Sequence, residues 1–150
     1  MDAHTDHTYY RDGEEVQEKE TSFRYDLNGI WKFHYARNYG SAIPGFEKED
    51  YCCRDWDDIR VPAHIQMEGY DAPQYANVQY PWEGHEDIHP GEIPEHFNPV
   101  ASYVKYFEVP EEMQGKRLFI SFLGAESGIA LWLNGQFVFT FFYILGQFKF

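Results

Sequence analysis

Asn134-Gly135 stands between two apolar runs, Gly128-Ile129-Ala130-Leu131-Trp132-Leu133 and Gln136-Phe137-Val138. Both central residues of a type I′ turn need positive φ, so Asn-Gly at such a junction is the strongest short-range signal of a β-hairpin. Other segments agree with this antiparallel pairing. Trp31, Phe33 and Tyr35 alternate with Lys32 and His34, the period of a half-buried strand. Trp56 to Pro62 reads as a short strand ended by proline, which has no N–H to donate. Ser102 to Val109 is rich in β formers. In Lys116 to Phe122, Leu118, Ile120 and Phe122 share one face. No helix longer than a turn or two is expected, and no internal repeat is present. Short strands separated by turn clusters predict an all-β sandwich or barrel.

One stretch has neither period. Gly69 to Trp82, GYDAPQYANVQYPW, is interrupted by Pro73 and Pro81 and carries three tyrosines and a tryptophan. Each proline fixes φ near −65° and pushes the preceding residue out of the helical region. Aromatic rings with polar tips suit a half-wet setting. They stack on the apolar faces of sugars, and an amide such as Asn77 both donates to and accepts from hydroxyls. An ordered surface loop pinned by its aromatics satisfies the same composition, and both readings stay open on these residues alone.

Charge narrows the partners. The formal net charge of −13 over 150 residues argues against nucleic acid, whose phosphates demand a basic surface. It argues equally against an anionic membrane surface. The N-terminus lacks the basic and apolar regions of a secretory signal. Cys52 and Cys53 are adjacent and have no third cysteine to pair with, as expected of reduced thiols in a cytoplasmic protein. Residues 1–22 are acidic and poor in core formers, and a loosely ordered arm is expected there. His4 and His7 in that arm carry no metal signal. His85 and His89 have a helical metal spacing, but Gly84 and Pro90 flank them and no third ligand is apparent. Glu83 to Pro99, with three prolines and many charges, should hold no regular element. Phe137 to Leu145 reads FVFTFFYIL. It is too short to span a membrane as a helix, and as a strand it is apolar on both faces, an aggregation liability if exposed.

Leu27-Asn28-Gly29-Ile30-Trp31-Lys32-Phe33 resembles the start of the glycoside hydrolase family 2 β-galactosidases. Ile59 to Pro81, IRVPAHIQMEGYDAPQYANVQYP, is similar to the same family's "VP-W-M-GYD-P-Y-N--YP" segment. Asn98-Pro99 with Ser102-Tyr103 and Phe107, then Gly124 to Ser127 with Leu131 to Val138, continue the resemblance in order. It spans residues 23–138. What it implies is a jelly-roll, galactose-binding-like β-sandwich, the first domain of a longer enzyme that removes terminal β-D-galactose with retention. Two glutamates on a later barrel do that chemistry, so no carboxylate of this chain is assigned a catalytic role.

The resemblance further implies that Asn77 reaches galactosyl hydroxyls and that Val78 walls the pocket. Asp71 and Tyr75 are further candidates for substrate contact, although Asp71 reads slightly better as an Asx-type turn residue that hydrogen-bonds loop amides. Trp31, Trp56 and Trp132 are expected in the core, and Trp82 is open. The family's magnesium and sodium are bound mostly outside this stretch, so no cofactor is expected here. Its partners would be a galactoside, the catalytic barrel and further subunits. After Val138 the family's aspartate-bearing segment is replaced by FTFFYIL. Residues 139–150 are therefore expected to carry no family function, as in a truncated or frame-shifted reading frame. A free-standing carbohydrate-binding module is the alternative, and docking on a partner that lacks its own N-terminus is compatible with the apolar end.

Overall fold

The computed structural model describes residues 8–73, 83–144 and 148–149. They form a short helix α1 (Gly13–Glu18) and strands β1 (Gly29–Ala36), β2 (Asp57–Val61), β3 (Val100–Val104), β4 (Ser121–Phe122), β5 (Ala125–Leu133), β6 (Gln136–Ile144) and β7 (Phe148–Lys149). Three single turns of 3-10 helix interrupt the loops at Tyr39–Ser41, Ile65–Glu68 and Glu111–Met113. The chain is all-β in class, as its turn and strand signals predict. β1 is the centre of a three-stranded sheet in the order β2-β1-β3, β5 pairs with β6, and β4 pairs with β7. Both neighbours of β1 run antiparallel to it, with Gly29 opposite Val61 and Phe33 opposite Asp57 on one side. On the other side Lys32 lies opposite Val104 and Ala36 opposite Val100. Asn134 and Gly135 adopt φ of 49° and 73°, as the hairpin signal requires. Among the described residues no helix is long and apolar enough to cross a membrane.

The chain divides into two compact units. One comprises Asn28–Lys105 and Ala130–Phe139, and therefore holds β1, β2, β3 and the tip of the β5–β6 hairpin. Its core is built on Phe33, which is fully buried, and Ile59, 2% exposed. Phe33 meets the rings of Tyr70 at 4.5 Å and Tyr103 at 4.9 Å, both near edge-to-face, the arrangement that ring quadrupoles favour. Trp31 approaches Tyr103 at 6.4 Å.

The opposite face of β1 is not the open one that its polar residues suggest. Trp56 lies 5.4 Å from the His34 ring, and Phe46 and Tyr51 pack on Trp56 at 5.5 and 5.7 Å. Phe46 reaches Trp132, which in turn meets Phe137. Lys32 stays in this face by laying its stem along it. Its ammonium ion-pairs with Asp58 at 2.8 Å and donates to the Trp56 carbonyl. Alternation reports polarity rather than exposure, and here the aromatic cover comes from residues distant in sequence.

The other unit gathers the N-terminal segment up to Leu27 with Tyr106–Ile129 and the C-terminal end. In the acidic N-terminal segment, Asp12 caps α1 by accepting from the Glu14 and Glu15 amides, and Lys19, at φ 57°, ends it. The Glu15 carboxylate, in a residue only 8% exposed, accepts from the Arg11 and Ser22 amides. These bonds hold its pKa below the usual value, the Arg11 amide most of all.

The strands expected over Ser102–Val109 and Lys116–Phe122 are shorter than their composition suggests. A strand lasts as long as its ladder. β3 ends where its pairing with β1 ends, at Val104, and β4 pairs with only the two residues of β7. β6 runs unbroken through Val138, the end of the resemblance, to Ile144.

Candidate functional site

Of the four residues the sequence marks for sugar contact, Tyr75, Asn77 and Val78 lie outside the described residues. Asp71 lies inside them, together with both flanks of the stretch that carries the other three.

The entry flank is a built corner. The 3-10 turn Ile65–Glu68 closes on Gly69, at φ 95°, whose amide bonds the Ile65 carbonyl. The Tyr70 amide donates to the same carbonyl at 3.0 Å. The Tyr70 ring packs on Phe33 and lies 6.4 Å from Tyr35. Burial, and then the neighbouring Asp57 carboxylate, raises the Tyr70 phenol above its ordinary pKa. Asp71 follows at φ 59°, a left-handed conformation that aspartate tolerates because its short side chain bonds locally. Its Oδ1 accepts from the Ala72 amide at 2.8 Å. Burial first, and then the charge of Asp71, raises the Tyr35 phenol above its ordinary pKa.

The exit flank is held by Glu86. Its carboxylate accepts from three successive backbone amides, Glu95, His96 and Phe97, each at 3.0 Å. A carboxylate so solvated by amides is favoured in its charged form. The Phe97 amide is the largest cause of its lowered pKa, against the opposing cost of burial. His85 stacks on the Phe97 ring at 3.9 Å. The Arg37 guanidinium stands 5.9 Å from that ring, and the Asn98 amide donates to the Arg37 carbonyl. Phe97 is 7% exposed. An open cleft of about 260 Å³ is lined by Gly84, His85, Glu86 and Asp87.

The histidines of this flank do not act together. His85 faces Phe97, while His89 pairs with Glu92 through Nδ1 at 3.1 Å. Among the described residues no three His, Cys, Asp or Glu side chains gather as a metal site would require. Glu86, Tyr35 and Arg37 escape a reading of the sequence. Glu86 sits in a charged, proline-rich run and its partners lie 9 to 11 residues away, a separation that no local pattern announces.

Antiparallel strands with short turns between them place the described residues in the all-β class. Residues 24–141 match the family of glycosyl hydrolases family 2, sugar binding domain, and the chain belongs to that family. It is 52% identical over 139 residues to a beta-galactosidase of Halalkalibacterium halodurans and 44% identical over 138 residues to one of Streptococcus thermophilus. A beta-galactosidase large subunit of Latilactobacillus sakei is 37% identical over 150 residues. Each match takes in 92% of this chain, but only 14% of the first two relatives and 24% of the third.

Proposed function

We propose that this chain is the sugar-binding part of a β-galactosidase and that it recognises the terminal β-D-galactosyl unit of a galactoside. The observation that carries the reading is the match of residues 24–141 to the family 2 sugar-binding domain, together with identities of up to 52% to β-galactosidases. In this reading the Asn77 amide bonds galactosyl hydroxyls, Val78 walls the pocket, and Tyr75 and Asp71 flank it. Hydrolysis, with the magnesium and sodium of the family enzymes, would be the work of residues beyond the portion of the relatives that this chain matches. The working environment proposed is the cytoplasm, and the partners proposed are the catalytic barrel and further subunits.

Calorimetric titration of the 150-residue chain with galactose and with glucose tests this. Millimolar binding of galactose with weaker binding of glucose is expected. Equal affinity for the two sugars, or none for galactose, contradicts it. Turnover of a nitrophenyl galactoside by the chain alone is not expected, and turnover that disappears in Asn77→Ala would place catalysis within it.

A further inference from the structure

The N-terminal segment folds on itself before β1 begins. Asp12 starts α1, and Lys19, in the left-handed region, ends it and turns the chain back. Two ties hold the returning residues to those that lead in. The Thr21 hydroxyl donates to the Tyr9 carbonyl and accepts from the Phe23 amide. The Glu15 carboxylate accepts from the Arg11 amide at 2.7 Å and the Ser22 amide at 3.2 Å. This segment carries an open cleft of about 380 Å³, in the size range of small-molecule sites. Its lining includes Tyr10, Lys19, Glu20, Thr21, Arg24 and Asp26.

Charge decides what such a cleft fits. Lys19 and Arg24 are cationic, Glu20 and Asp26 anionic, so the charged lining sums to zero. A simple anion or a metal cation would match one half and be repelled by the other. Among the described residues the side chains of Lys19, Glu20 and Arg24 take no hydrogen bond or ion pair, although all three line this one cleft. Groups of both signs are therefore available to a ligand without the breaking of an existing pair. Hydrogen bonds between ionised groups are the strong ones, and a guanidinium takes a carboxylate through two parallel bonds. Tyr10, half-buried, adds a ring whose face attracts an ammonium. A molecule with one carboxylate and one ammonium on a short frame answers this lining group for group. A neutral saccharide would leave the ionic groups without ionic partners. Because Thr21 and Ser22 are tied, the backbone under these side chains is ordered in advance, which lowers the cost of binding.

We propose that this cleft binds a small zwitterion, a free α-amino acid or a dipeptide, with Lys19 and Arg24 taking its carboxylate and Glu20 and Asp26 its ammonium. The site shares no residue with the sugar-binding reading and stands or falls apart from it.

Amide NMR of the 150-residue chain is followed during titration with L-alanine and with L-alanyl-L-alanine. Saturable shifts at the amides of Lys19, Glu20 and Arg24 are expected with at least one of them, and the tighter of the two names the source. N-acetyl-L-alanine, which lacks the ammonium, and L-alaninamide, which lacks the carboxylate, are each expected to bind at least fivefold more weakly. Glu20→Gln and Arg24→Gln are each expected to weaken zwitterion binding at least threefold, with melting temperature and exchange of the Arg11 and Ser22 amides as in wild type. Asn77→Ala is expected to bind the zwitterion as wild type does, and a loss there would move the site away from the cleft. Absence of saturable shifts with both zwitterions overturns the proposal. Binding of N-acetyl-L-alanine, L-alaninamide or lactose at these amides as tightly as the zwitterions also overturns it. So does wild-type affinity in Glu20→Gln and Arg24→Gln, or a loss of affinity that tracks a matching loss of melting temperature and amide protection.

Discussion

Glu86 shows what a single side chain settles in this molecule. Three amides and an ionised carboxylate form a charge-assisted set, and the groups that face it decide its pH dependence. Its pKa is lowered in the fold, first by the Phe97 amide, with the amides of Glu95 and His96 and the charge of His96 acting in the same direction. A depressed carboxylate contributes stability above its unfolded pKa, and that contribution is lost as pH falls through the folded value. The amides of Glu95, His96 and Phe97 are therefore expected to exchange slowly at neutral pH. They should lose protection only when pH falls below the ordinary glutamate range. Glu86→Gln should abolish this acid-side step and reduce protection at neutral pH, and an unchanged profile in the variant would remove Glu86 from the account. Phe33 is the opposite kind of residue. Its burial follows from alternation with Lys32 and His34, so it was legible in the sequence, whereas the partners of Glu86 are not set by any local period.

At the scale of elements, the β5–β6 hairpin was the most legible feature because its turn chemistry is local. Both positive φ angles fall on the Asn-Gly pair. A Cβ on Gly135 would meet nothing closer than the Glu49 side chain at 3.6 Å, an ordinary contact. The cost of Gly135→Ala therefore comes from the backbone, about 1 kcal/mol for a side chain held in the left-handed region. Denaturant unfolding should show that loss, and a more stable Gly135→Ala protein would contradict the turn assignment. Helix α1 had a legible signal of the same local kind, Asp12 followed by Glu15, the pattern of a capping box. It lay in a stretch whose acidity and lack of core formers pointed to a loose arm. The extents of β3 and β4 were illegible for a different reason. β propensity says that a residue fits a pleated surface, but the partner strand decides where the ladder stops.

At the scale of the molecule, order and spacing of motifs from Leu27 to Val138 were enough to place the chain in its family, because a family match draws on many positions at once. The aromatic cover over Lys32 and His34 was not legible, since Phe46, Trp56 and Trp132 come from three separate segments. Asn77 and Val78 became site candidates only through resemblance, and both lie outside the described residues. Composition alone left the Gly69 to Trp82 stretch between a surface loop and a sugar contact. The structure adds how the flanks of that stretch are built: Tyr70 packs on Phe33 and Asp71 accepts from the Ala72 amide on the entry side, and Glu86 holds the amides of Glu95, His96 and Phe97 on the exit side. The central claim is that the chain recognises a galactosyl unit through Asn77. Saturation-transfer NMR with a methyl β-D-galactoside tests it most directly, because it reads which sugar protons touch the protein. Transfer to the galactosyl ring protons that disappears in Asn77→Ala is the predicted result, and transfer of equal strength in that variant, or to a glucoside as readily as to the galactoside, would contradict it.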